Sequence, residues 1–130
     1  MDDDAFLRTF LRGWPADQRF GHYEHLRLAW LIIDRHGPEV AEQIVGDGIR
    51  KLAESQGKAA LYNDTMTRFW VRLLVHVREA KQVTTIDQAI EHVPYLMDKN
   101  LAQRHWSRTL MFGPDGRAGW VEPDLRPLPF

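Results

Sequence analysis

Two histidines, His22 and His25, stand three residues apart in the stretch FGHYEHLRLAW at 20–30. On a helix turning about 100° per residue, Leu26, Ala29 and Ile33 define the inward arc, His22 falls inside it, and His25 falls at its edge beside Ile32. Glu24, Arg27, Asp34 and Arg35 take the opposite side, and His36 lies on the same side as His25. Residues three apart on a helix are surface neighbours, so the two imidazoles share one patch. Ala29, one turn further, leaves room beside them. The first turn of a helix carries the positive end of its dipole, which disfavours imidazolium. Neutral imidazole is the form that accepts a proton or binds a metal. Inward histidines can equally be structural, each bonded to a carbonyl or a carboxylate.

A second group sits in YNDTMTRFW at 62–70. Tyr62 and Thr65 lie on or beside an apolar helix face, and His76, three turns past Thr65, falls at the same edge. Asp64 is a first-turn carboxylate that suits the helix dipole and can pair with Arg68 four residues on; Arg72 continues the polar edge. The candidate catalytic residues are therefore His22, His25, Tyr62, Asp64, Thr65 and His76. Two histidines and a carboxylate, His22, His25 and Asp64, can form a facial ligand set for a divalent metal such as iron or zinc, with positions left open for substrate. Without a metal, one histidine serves as base and Tyr62 or the other histidine as acid.

The elements that must position these groups read as helices throughout. A first helix follows the aspartates of DDDAFLRTFL and ends at Gly13 and Pro15. A second runs from about Phe20 or His22 to His36. A third opens at Pro38 and is capped by Gly57, with Gly46 and Gly48 inside it permitting either a close helix approach or a kink. The fourth, read over AALYNDTMTRFWVRLLVHVREAK, is apolar on most of its circumference and so central. A short fifth follows Thr85 and is broken by Pro94. Residues 95–112 read as helical again in one or two pieces, GPDG as a turn, and 120–130 as an extended strap packed on the body. No period-2 strand emerges. The expectation is an all-α bundle of five or six helices in a single domain over 1–130, with the second and fourth helices in direct contact.

Composition narrows the function classes. The chain has 130 residues, a formal net charge of −1 with histidine neutral, and no cysteine. Disulfides, thiolate metal sites and cysteine nucleophiles are excluded. No basic field points to nucleic acid or an anionic membrane. The acidic N-terminus lacks the pattern of a signal peptide, and no apolar run approaches a membrane span, so a cytoplasmic location is expected. No phosphate loop, dinucleotide fingerprint, calcium loop or G-x-S-x-G elbow is present.

The stretches HYEHLRLAWLII, LYNDTMTRFWVRLL and HWSRTLMF…WVEPDLRPLP together resemble a family of small, all-helical bacterial proteins of uncharacterised activity. The resemblance runs from His22 to Pro129. It rests on H-x-x-H-L-x-x-A-W, matched by His22, His25, Leu26, Ala29 and Trp30, and on Pro123–Asp124. The family's Tyr-His-Glu-Thr is kept only at Tyr62 and Thr65, because Asn63 and Asp64 stand at its middle positions. The resemblance implies a polar site between the second and fourth helices; the Asn63 departure removes a third histidine from it.

Three functions are in view. The first is a small-molecule enzyme with a buried histidine site between helices, with or without a divalent metal, open to isomerisation, elimination or hydrolysis. The second is a small-ligand-binding protein without catalysis. The third is a helical protein-interaction module whose histidines are structural. A homo-oligomer is compatible with each.

Overall fold

The computed structural model describes all of residues 1–130 and contains helices and turns but no strand. Helix α1 spans Asp3–Arg12, with the Asp2 carboxylate accepting the Ala5 N–H at 2.8 Å and two further aspartates in the first turn. Helix α2 spans His22–His36, and the Glu24 carboxylate reaches back to the Gly21 N–H at 2.6 Å. That bond satisfies one of the orphan donors of the first turn. Gly37, at φ 85°, ends α2 and reverses the chain directly into α3, Pro38–Ser55. A residue with a Cβ would be strained there, and Pro38 has no N–H to leave unpaired at the new helix start.

The fourth helix starts later than its apolar pattern suggests. Residues Ala59–Leu61 form a separate 3₁₀ turn, and α4 spans Asp64–Lys81. Asn63 decides the boundary: its side-chain oxygen accepts the Met66 N–H at 3.0 Å, in extended backbone conformation. Asparagine at this position caps a helix rather than continuing one. Thr85 likewise caps α5, Ile86–His92, through the Gln88 N–H.

Residues 94–112 are broken into two 3₁₀ turns, Pro94–Met97 and Leu101–Arg104, and a single α turn, α6 at Arg108–Met111. The Asp98 carboxylate accepts the Asn100 N–H and the Ser107 hydroxyl accepts the Leu110 N–H, so short polar side chains compete with a continuous helix. GPDG opens a further one-turn helix, α7 at Pro114–Ala118. The seven helices keep the all-α class, with the last two shorter than the sequence pattern suggests.

Cross-helix pairs define the direction of the bundle. His22 packs on Trp70 and Asp34 pairs with Arg78, so α2 and α4 run in the same sense and touch directly. Glu42 pairs with Arg72 and Arg50 approaches Asp64, so α3 runs antiparallel to α4 and packs against both helices. The α3 glycines serve close approach. A Cβ on Gly48 would lie 2.7 Å from the Phe10 ring, and one on Gly46 would lie 3.1 Å from the Tyr62 hydroxyl. The core centres on Trp30, Phe69, Leu74 and Trp106. The C-terminal strap packs on the body at its start, where the Trp106 indole donates to the Val121 carbonyl and Trp120 stands edge-on to Trp106, whereas Leu125 and Phe130 further along are exposed. No helix is long and apolar enough to cross a membrane.

Candidate functional site

The parallel sense of α2 and α4 brings their N-terminal ends together, and the C-terminal end of α3 closes the third side. Between them lies a cavity of about 430 Å³. This is within the range that holds a small organic molecule. Phe20, Ala29, Val45, Ile49, Met66 and Trp70 supply much of its apolar wall, and His22, His25, Asn63 and Thr67 are among its polar members.

Both histidines line this cavity, each with one nitrogen committed. The His25 Nδ1 lies 2.8 Å from the Gly21 carbonyl oxygen, and the His22 Nε2 lies 2.7 Å from that of Leu96. A carbonyl oxygen only accepts, so both nitrogens carry hydrogen. The Nε2 of His25 and the Nδ1 of His22 make no hydrogen bond within the protein. Burial holds the His25 pKa below its usual 6.5, against the opposing pull of the Gly21 carbonyl, and the neighbouring His22 acts in the same direction as burial. His25 is thus neutral near pH 7. Its ring stands edge-on to Phe20 at 4.9 Å, and the His22 ring stands edge-on to Trp70 at 4.7 Å. These contacts fix the two imidazoles at one end of the cavity. His25 is partly buried and shares the cavity with α4 residues, while the edge-on ring contact to α4 is made by His22.

The remaining sequence candidates go elsewhere. Asp64, only 4% exposed, does not line the cavity. Its Oδ2 accepts from Arg68 Nε at 2.6 Å, and its Oδ1 accepts from the Tyr62 hydroxyl at 2.8 Å, with Arg50 3.9 Å away. Glu42 extends the strip by binding Arg68 at 2.9 Å and Arg72 at 2.5 Å. The set His22, His25 and Asp64 is therefore not assembled, and no three histidine, aspartate or glutamate side chains gather where they could hold a metal. Tyr62 borders the cavity, but its hydroxyl is given to Asp64; burial, then that bond, push its pKa up to about 12. It is a poor acid for the histidines. Thr65 is fully buried and donates to the Gly119 carbonyl at 2.8 Å, tying α4 to the strap. His76 stacks on Phe130 at 5.3 Å, beside the C-terminus and away from the cavity. The same-sense packing of α2 and α4 is the reason: it aligns N-terminus with N-terminus and leaves His76 beyond the site.

Several cavity residues escaped the sequence reading. Asn63 lines the cavity while capping α4, and its side-chain amide donates to the Met111 carbonyl at 2.7 Å. Met66 and Trp70, apolar residues of α4, also line the cavity. Thr67, Lys58 and Lys99 carry no linear signal, because the lysines come from turns forty-one residues apart. Comparison with protein families, with curated proteins and with solved structures finds no match.

Proposed function

We propose that the cavity binds a small, largely apolar molecule and that His25 acts on it as a general base. The observation that supports this reading is the state of His25: Nδ1–H is used on the Gly21 carbonyl, Nε2 is free, and burial keeps the ring unprotonated in an apolar cavity. A neutral imidazole of this kind removes a proton from carbon or from water. In an isomerisation His25 Nε2 takes the proton and, as imidazolium, returns it to the neighbouring substrate atom; His22, with Nδ1 free, lies beside it as a second polar group. Elimination and hydrolysis use the same base. A metal-assisted version would need a third ligand beside the two histidines, and Asp64 is occupied by Arg68 and Tyr62. The non-metal reading is therefore preferred.

The test is exchange of acidic C–H protons for solvent deuterium, followed by NMR, on apolar ketones such as β-tetralone. The wild type is expected to accelerate exchange, and His25→Gln to lose at least about a hundredfold of it, the lower end of a general-base contribution. Equal exchange by both proteins, or none above buffer with either, overturns the base role. A binding protein without catalysis is the second reading, favoured by the lack of an unpaired carboxylic acid or phenol in the cavity lining.

A further inference from the structure

The cavity has a charge bias that its apolar lining hides. None of its nineteen lining residues is aspartate or glutamate, whereas Lys58 and Lys99 are both among them. Both lysines are exposed, so they stand at the rim rather than within. Lys58 leads into the turn between α3 and α4, and Lys99 lies between the two 3₁₀ turns that follow α5. Neither makes an ion pair. Of the carboxylates on nearby helices, Glu42 and Asp64 are neutralised by Arg68 and Arg72, Glu24 accepts the Gly21 N–H, and Glu54, next in sequence to the lining residue Ala53, is exposed and outside the lining. Of the helix ends at the cavity, α2 and α4 present positive dipole ends and α3 presents a negative one, so the backbone does not cancel the lysines.

We infer that the ligand of this cavity is an apolar molecule carrying one anionic head, its body on Val45, Ile49, Met66 and Trp70 and its head between Lys58 and Lys99. This rests on the reading of the cavity as a small-molecule site and adds the class of molecule. Apolar walls supply affinity by burial, and the two ammonium groups, with no acidic competitor in the lining, select the sign of the head group. An apolar cation would meet two like charges at the rim and no carboxylate inside.

Three probes of one size separate the possibilities: β-naphthoate, β-naphthylmethanol and β-naphthylmethylamine, titrated into the full chain while Trp70 reports through tryptophan fluorescence. Naphthoate is expected to bind about tenfold tighter than the alcohol at low salt, two screened contacts at exposed ammonium groups, and the amine weakest. The preference should shrink as salt is raised. In Lys58→Gln/Lys99→Gln, whose substitutions are at exposed positions, the carboxylate should fall to the alcohol's affinity while the alcohol is unchanged. Equal binding of naphthoate and alcohol to the wild type, tighter binding of the amine, or a naphthoate preference that survives the double substitution overturns the assignment, as does failure of all three probes to bind. None of those results bears on whether His25→Gln abolishes proton exchange, so the base role stands or falls separately.

Discussion

The two polar regions that interrupt the apolar faces of α2 and α4 have opposite characters. Along α3 and α4, Glu42, Asp64, Arg68 and Arg72 spend their charges on one another, and the Tyr62 hydroxyl is drawn in as a donor. At the joined ends of α2 and α4, His22 and His25 each bind a backbone carbonyl and keep a second nitrogen unspent, facing a cavity. A buried polar group whose bonds are complete is a structural device, because its removal leaves partners stranded. A polar group with spare capacity beside empty space is positioned to act on something else. Removing a member of the arginine strip should therefore damage stability, and removing a histidine should damage binding or chemistry.

The largest stability loss is expected for Asp64→Ala, which strands the Arg68 guanidinium and the Tyr62 hydroxyl. With Arg68 partly solvated, the change should be about 2–3 kcal/mol in chemical denaturation, with naphthoate affinity of the folded fraction little altered. A loss below about 1 kcal/mol would remove the contrast between the regions.

Thr65→Val should cost about 1 kcal/mol by the same measurement, since it leaves the half-buried Gly119 carbonyl without its donor. His25→Leu should change stability at pH 7 by less than about 1 kcal/mol, because the Gly21 carbonyl still accepts the backbone N–H of residue 25. Loss of proton exchange without loss of fold is the pattern that sharpens the comparison.

His25 also makes an acid-side prediction. Its folded pKa lies below the unfolded value, so protonation favours unfolding. The contribution is complete above about pH 6.5 and is lost as pH falls through the lowered folded pKa. Between about pH 7 and pH 5, the melting temperature of the wild type should therefore fall further than that of His25→Leu. Equal falls would show that His25 is not held neutral by its surroundings.

The smallest effect is expected for Asp124→Ala. Asp124 accepts both the backbone N–H and the hydroxyl of Ser107, which hold its carboxyl below the usual carboxylate range at a fully exposed position. A slight fall in melting temperature, with cavity binding unchanged, is the expected result.

Local rules made much of this protein legible from its sequence. Helical periodicity, the Asp2 and Thr85 caps and the Gly37–Pro38 reversal are local features, and they determined the all-α class and most helix boundaries. The placement of His22 and His25 on an inward face was equally local. Where short side chains bind nearby backbone, the apolar pattern was a poorer guide: Asn63 detached residues 59–61 from α4, and Asp98 and Ser107 broke residues 95–112 into turns.

Only the tertiary structure decided which polar groups share a site. The sequence joined His22 and His25 to Asp64 and His76 because the histidines border apolar faces and Asp64 stands in the first turn of the same central helix. The relative sense of two helices cannot be read from the periodicity of either. Once α2 and α4 packed in the same sense, with α3 antiparallel against both, His76 was carried to the far end beside Phe130. The close approach at Gly46 set Tyr62 and Asp64 against α3, and Arg50 and Arg68 came to the Asp64 carboxylate. The same packing brought Lys58 and Lys99, distant along the chain, to the rim of one cavity. Side-chain periodicity fixes which way a residue points from its own helix; what it points at depends on how the helices pack.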